Sequence, residues 1–324
     1  MHLTFHRSVT VDYAPLGRAH LALIRITGLL TRHKQHKGLY RVARWLAHRV
    51  SRAPNFRITL GNDVSIGLPV VAYWIRMAVK SYEYEPELYR MLTALHGFDY
   101  QFVDCGANVG YWSVMVGHST LGPKHGVAIE AGSQAFELLS DNLLSNGSPI
   151  APLHCAIGPE DDQFVDLHFR IGEACDAGAS IKQASAGDGR ATTFESVPTI
   201  TFDTLVNRHI SDKDTPLVVK LDIEGLEELV IQTSSELMRR DCLLIVEDHG
   251  NDPSCRVSRA LHERGFRTAY LDDAGGGFWY ASLSRLACKK VNPGKGYNIV
   301  AVQRGSQFEA AVDEAISREN STVT

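Results

Sequence analysis

The sequence predicts an α/β protein built on an open, mostly parallel sheet, and three observations predict it. From residue 101 onward, apolar runs of strand length alternate with segments of helical spacing. Several of those runs, "LVVKLDI" and "CLLIVE" among them, are apolar at consecutive positions, as strands covered on both faces should be. The first of them, "QFVDC", breaks into Gly-x-x-x-Gly where strand gives way to helix. Open parallel sheets bind their ligands at such strand ends.

Taken in order, strands are expected at 101–105, 126–130, 152–157, 217–223, 242–247, 266–271 and 297–303. Helices are expected at 108–120, 133–145, 226–239 and 254–264. The last two strands flank a Gly-rich stretch, Gly275–Gly277, with no evident helix, which suggests an antiparallel pair closing the sheet. Residues 159–200 read as irregular, with a strand at 163–170 and a small-residue loop at 172–191. Before the sheet, 16–50 look helical in two pieces, and "FRITLGNDVSIGLPV" reads as a hairpin turning at Gly61-Asn62-Asp63. Residues 72–97 return to helical spacing, with Pro86 placed where a helix can begin. The polar stretch 306–324 reads as a frayed tail. The expected division is a basic extension over 1–81, a core domain over 82–305 and that tail.

The net charge of −4 over 324 residues hides an uneven distribution. Residues 1–60 hold eleven Lys/Arg and one acid, Asp12, leaving twenty-two bases against thirty-six acids in the rest. A basic arm is joined to an acidic body. Six cysteines without any C-x-x-C pair argue against a zinc ribbon or a disulfide scaffold, and for a reducing compartment. The best apolar stretch, "LALIRITGLL", is interrupted by Arg25 and is too short to span a bilayer. A cytoplasmic protein is expected. In the segment 38–50, Leu39, Val42, Ala43, Leu46 and Val50 make an apolar stripe beside arginines and Trp45. Such a helix either lies peripherally on an anionic membrane or lipid-linked glycan, or caps the acidic body; the cap is preferred. Sparse aromatics and the lack of a recognised motif disfavour nucleic acid.

In the strand–turn–helix at 101–114, Gly106 permits a turn that a Cβ would obstruct, and Gly110 lets the helix pack closely. The helix start offers N–H groups to a carboxylate, and Asp104 offers an acceptor to an ammonium group. The ligand is therefore expected to be zwitterionic at one end. Glu130 ends the next strand, "GVAIE", where a carboxylate can accept from two ribose hydroxyls at once. An amino acid joined to a ribose describes S-adenosylmethionine. The dinucleotide signature G-x-G-x-x-G is missing, so NAD is disfavoured.

"FVDCGANVGYWSV", "VAIEAGSQAFELLSDNLLSN" and "VVKLDIEGLEELVI", in that order, resemble the FkbM-type family of S-adenosylmethionine-dependent methyltransferases. "YEYEPELYRML" and "VPTITFDTLV" are also similar to that family, and the likeness covers roughly 82–303. The resemblance implies a class I methyltransferase fold: a Rossmann-like, seven-stranded sheet with its last strand antiparallel. It further implies O-methylation of a hydroxyl on a sugar, glycolipid or natural product. Carried over by position, it places Asp104, Gly106, Asn108 and Gly110 in the cofactor loop and Glu130 at the ribose. Lys220, Asp222, Glu224 and Gly225 match the fourth-strand signature. "EAGSQAF" departs from the commoner Glu-Pro-Asn, and "HCAIG" offers no acid to an adenine amino group. Asp203 is expected to be structural. Two other readings stay open: a different nucleotide-using Rossmann-like enzyme, and a non-catalytic glycan- or membrane-binding module.

An alcohol acceptor needs help in losing its proton as the C–O bond forms. "KLDIEG" and "VEDHG" end neighbouring strands of the expected sheet, which brings Lys220, Asp222, Glu224, Glu247, Asp248 and His249 toward one mouth. Alternation points Lys220, Asp222 and Glu224 the same way. An imidazole exchanges protons near neutral pH, so His249 can serve as the general base; the alternative is that His249 caps a turn while Glu247 pairs with Lys220. Magnesium would suit the carboxylates, yet no spacing demands a metal and none is expected.

Overall fold

The computed structural model describes residues 7–11, 22, 25, 26, 29, 55–60, 63–69, 74–78, 83–118, 121–170, 192–210, 212–223 and 225–318. The strands are β1 (Arg7–Val11), β2 (Phe56–Leu60), β3 (Val64–Leu68), β4 (Gln101–Cys105), β5 (Gly126–Glu130), β6 (Ile150–His154), β7 (Ala156–Ile157), β8 (Phe164–Arg170), β9 (Thr192–Ile200), β10 (Leu217–Leu221), β11 (Cys242–His249), β12 (Arg267–Leu271), β13 (Gly277–Tyr280) and β14 (Gly296–Val302). The helices are α1 (Pro86–Ala94), α2 (Tyr111–Gly117), α3 (Ser133–Ser145), α4 (Phe202–His209), α5 (Glu227–Thr233), α6 (Glu236–Arg239), α7 (Arg256–Glu263), α8 (Leu283–Ala287) and α9 (Glu309–Ser317).

The central sheet runs β13-β12-β14-β11-β10-β4-β5-β6. Strands β11, β10, β4, β5 and β6 are parallel, and β14 lies antiparallel between β11 and β12. The expected α/β architecture with an antiparallel closing strand is present, but with eight strands rather than seven. The eighth, β13, is folded back on β12 across the Gly275–Gly277 turn, pairing Leu271 with Gly277. That turn needs positive φ at Gly275 and Gly276, +119° and +71°, which glycine adopts at little cost. Residues 159–200 also hold more structure than expected: β8 and β9 pair antiparallel, and β9 joins β7.

Two apolar layers cover the sheet, and strand pleating decides which residue enters which. Phe102, Val218, Leu243 and Ile245 face the layer that holds α1, α2, α3 and α9. Val103, Val219, Leu244 and Val246 face the opposite layer, with α4, α5 and α7. The same parity puts Asp104, Lys220, Glu247 and His249 on the first face.

The amino-terminal hairpin joins that first layer. Strands β2 and β3 pair with Leu60 opposite Val64, so the hairpin is as expected, and β1 adds a third strand. Phe56, Ile58, Val64, Ile66 and Leu68 are all fully buried in the same core as α1. Each such side chain stabilises the fold by roughly 1.5–3 kcal/mol, so the hairpin packs into the same core as α1. Asn142 of α3 fastens the joint. Its Oδ1 accepts from Gly67 N at 2.7 Å, and its Nδ2 donates to Gly67 O at 2.9 Å and to Val109 O at 2.8 Å. Asn146, one turn on, takes the same pair of bonds from Ser65.

The expected tail is corrected in part. Phe308, Ala311, Val312 and Ala315 are buried along one stripe of α9, against α1. The amphipathic segment 38–50 lies outside the described residues, and so does the loop 172–191.

Candidate active site

The cofactor turn is built by close approaches. Gly106 has φ +80°, and a Cβ there would stand 1.8 Å from the carbonyl oxygen of Asp222. The N–H groups of Gly106 and Ala107 both reach Ile129 O, at 3.0 and 2.9 Å, so the turn is stitched to the end of β5. At Gly110, also φ +80°, a Cβ would meet Leu139 Cδ1 at 2.6 Å; its absence lets α3 pack against the start of α2. Between them Asn108 adopts φ +49°. Glu130 holds this conformation: one carboxylate oxygen accepts from Asn108 N at 2.8 Å and the other from Gly132 N at 2.7 Å. Burial pushes Glu130 up to about 7, against the pull of those two N–H donors. Replacing Glu130 by alanine removes one charged acceptor from two backbone donors and from the ligand. Cofactor affinity is expected to fall about tenfold or more by calorimetry, since hydrogen bonds to charged groups are worth about 1.5–3 kcal/mol. Affinity of the unmutated chain is expected to decline as pH drops through 7, where Glu130 takes up its proton.

Beside the turn lies a cavity of about 960 Å³ across the carboxyl ends of β4, β5, β10 and β11. Asp104, Gly106, Asn108, Glu130, Lys220, Asp222, Glu247 and His249 all line it. Gly110 does not; it shapes the turn from behind. Asp104 is 1% exposed and accepts from Ser113 Oγ at 2.6 Å, while its Oδ1 has no partner among the described residues. Burial raises its pKa, with Lys220 pulling the other way. Lys220 is 5% exposed and donates from Nζ to Asp222 Oδ2 at 2.9 Å. Burial disfavours the ammonium, but Asp222, Asp104 and Glu85 together outweigh it and raise the lysine pKa. Burial likewise works against the Asp222 carboxylate, and Lys220 overcomes it, holding Asp222 down to about 2. Burial and the Asp222 charge push Glu247 well up. His249 Nδ1 stands 3.6 Å from Glu247 Oε1.

Two expected members need correction or lie out of view. Asp248 does not reach the cavity: the pleat turns it to the opposite face, where it pairs with Lys290 Nζ at 2.7 Å. Glu224 lies outside the described residues. Asp203 accepts from Ser234, Ser235 and the N–H of Glu236, and so caps the α5–α6 corner. The last acid of the fourth-strand motif, Glu227, has a similar task, taking the N–H groups of Ile223 and Gly225 at 2.9 Å each.

Sequence reasoning missed the opposite wall. Glu85 lines the cavity from the residue before Pro86, accepts from Trp112 Nε1 at 2.5 Å, and is raised by burial to about 7. Tyr84 packs against Trp74, Tyr111 and Trp112 to make an aromatic side. The only signal was the alternation Tyr-Glu-Tyr-Glu ahead of Pro86, which carried no distance information. Cys155, Ala156 and Ile157 line the end where the sequence offered no acid to an adenine.

A family model described as methyltransferase FkbM domain matches residues 104–268, half of the chain, spanning the cofactor turn, the Glu130 strand and the fourth-strand signature. The chain belongs to the FkbM methyltransferase family. Its methyl donor is S-adenosylmethionine, and the residues present fit that group. Gly106 and Asn108 line the cavity beside Asp104, whose Oδ1 has no partner among the described residues. Among solved structures, the chain is similar to a precorrin-6y C5,15-methyltransferase from Geobacter metallireducens, with 14% identity, a TM-score of 0.36 and coverage of 67% of this chain and 86% of that one. It is similar to an FkbM methyltransferase from Methylobacillus flagellatus, with 14% identity, a TM-score of 0.35 and coverage of 87% and 59% respectively. The third is TYW2 of M. jannaschii in complex with AdoMet, with 11% identity, a TM-score of 0.35 and coverage of 76% and 89%. No curated protein matches the chain. Among the described residues, no helix is long and apolar enough to cross a membrane.

Proposed function

We propose that this FkbM-family methyltransferase is an O-methyltransferase acting on a hydroxyl of a carbohydrate, glycolipid or natural product. One observation carries the reading: the cofactor turn opens into the same cavity as Asp222, Glu247 and His249. S-adenosylmethionine, when bound, supplies an electrophilic methyl group. The chain's own residues then have three tasks. Asp104 and Glu130 hold the two ends of the cofactor, and Lys220 fixes Asp222 beside them. The aromatic wall of Trp74, Tyr84, Tyr111 and Trp112 gives a ring-shaped acceptor an apolar face to lie on while excluding water. His249, with Glu247 beside it, activates the acceptor hydroxyl, the step an alcohol needs and a stronger nucleophile would not. The basic residues of the first sixty positions would draw an anionic acceptor or surface toward this mouth.

The test is calorimetric titration with S-adenosylhomocysteine, with NAD as the control. Saturable binding of the first and none of the second is the expected result; binding of NAD alone would replace this reading with a nucleotide-using enzyme. His249→Ala is expected to keep S-adenosylhomocysteine affinity while turnover on a hydroxyl acceptor falls about 10²- to 10⁴-fold, the usual share of acid–base assistance. Full turnover in that variant would leave His249 a structural residue.

A further inference from the structure

We propose that Asp222, Glu247 and His249 form a binding site for a hard divalent cation, Mg²⁺ or Mn²⁺, at the acceptor side of the cavity. Each of the three offers one ligand atom, and these atoms lie within 4.8 Å of one another. Around a cation with bonds of about 2.1 Å, adjacent ligands stand about 3 Å apart and opposite ones about 4.2 Å, so small side-chain shifts close the set. Two carboxylates with one imidazole are a donor set that Mn²⁺ and Mg²⁺ accept, with waters completing the shell.

The surroundings are shaped for such a set. On β14, Gly296 is the register partner of His249, and a Cβ there would lie 1.2 Å from Glu247 Oε1. Only a residue without a side chain leaves the Glu247 carboxylate its position. Next along the strand, Asn298 pairs with Glu247 in register and donates to Glu87 Oε1 at 2.8 Å. Glu87 is 6% exposed, lines the same cavity, and its Oε2 has no partner among the described residues, an acceptor suited to a metal-bound water. Charge points the same way. The cavity wall carries Glu83, Glu85, Glu87, Asp104, Glu130, Asp222, Glu247 and Asp273 against Arg76, Lys220 and Lys295. Lys220 is committed to Asp222 and Lys295 to Asp273. Resting on the methyl-transfer reading, the cation would take the acceptor hydroxyl as a further ligand and acidify it. The methyl–sulfur bond breaks with its electron pair left on sulfur, the oxygen–methyl bond forms, and the hydroxyl proton passes to solvent water, His249 then acting on the hydroxyl through the cation and not taking the proton itself.

The experiment is a titration of the full chain with Mn²⁺, followed by electron paramagnetic resonance, with S-adenosylhomocysteine affinity measured on the same samples. One saturable site is expected, with a dissociation constant of roughly 0.1–1 mM, the range of weak carboxylate sites. Glu247→Gln and His249→Ala should each weaken it by about tenfold or more, since even outer-shell partners are worth about 10- to 100-fold. Glu160→Gln, an exposed acid outside the cavity, should leave it unchanged. Retained S-adenosylhomocysteine binding in the variants shows that they are folded. A chain that binds S-adenosylhomocysteine but has no saturable Mn²⁺ site overturns the cation site, as does a site indifferent to Glu247 and His249. Saturable Mn²⁺ without S-adenosylhomocysteine binding supports the cation site and overturns the methyl-transfer reading instead.

Discussion

Replacing Asp104 by alanine is expected to weaken S-adenosylhomocysteine binding about 10- to 150-fold, the equivalent of the 1.5–3 kcal/mol that a hydrogen bond to a charged group contributes. The carboxylate is 1% exposed, so solvent does not compete for it, and Ser113 occupies only one of its oxygens. The other oxygen is unpartnered and belongs to a residue lining the cavity beside the glycine turn. On the proposed reading, an ammonium group on the ligand would supply the missing partner. Asp104→Asn keeps the shape and the Ser113 bond but loses the charge, and is expected to fall most of the way with the alanine variant. Burial raises the Asp104 pKa, so its contribution is present only above that raised value and fades at a higher pH than an ordinary carboxylate would require. Calorimetry on both variants and across pH reads all three effects. Equal affinity in Asp104→Ala and the unmutated chain would remove Asp104 from the cofactor site.

Lys220→Met should cost more in stability than any other single change at the site, about 3–5 kcal/mol, the typical loss when a buried ion pair is broken from one side. The lysine faces Asp104, Asp222 and Glu85 at once, and without it three buried carboxylates have one another for company. Urea unfolding at pH 7 measures the loss. The pH window follows from the pair. Lys220 has a raised pKa, so its contribution is complete below the ordinary lysine range and is lost only at strongly alkaline pH. Asp222, held down to about 2, contributes above the ordinary aspartate range and loses that contribution as pH falls through about 2. The difference between the two proteins should therefore hold across neutral pH and shrink in strong acid. Adding Asp222→Asn to Lys220→Met should recover part of the stability. A single variant as stable as the unmutated chain would mean that Asp222 is neutral in the folded protein.

Most of the sheet was legible because its evidence is periodic and local. Apolar runs placed six of the strands to within two residues, and the glycine turn announced where the ligand binds. Parity was legible too, and was applied unevenly. Alternation along β10 correctly grouped Lys220 with Asp222, yet the same rule along β11 separates Asp248 from Glu247 and His249, and its Lys290 partner lies on the far face. The α9 helix was missed because the buried stripe within it, Ala311, Val312 and Ala315, is made of small residues with little hydrophobic mass, and its one large anchor, Phe308, stands just before the helix. The Glu85 wall and the Gly296 notch were illegible for a different reason. Both owe their place to contacts between residues far apart in the chain: Glu85 with Trp112, and Gly296 with Glu247. No spacing within one segment encodes such a distance. The composition of the first sixty residues suggested an appendage, whereas the hairpin there shares the domain's core.

The Asn142 amide bears on how the basic arm and the cofactor turn are connected. One side chain holds both bonds of Gly67 and the carbonyl of Val109, the residue immediately before Gly110. Mechanically, the hairpin and the turn are then links in series rather than neighbours in parallel. A displacement of the amino-terminal hairpin is passed to Val109 through the rigid plane of the Asn142 amide, beside the Asn146 bonds to Ser65. The stiffness of the cofactor cradle is thereby set partly from outside the stretch that matches the family.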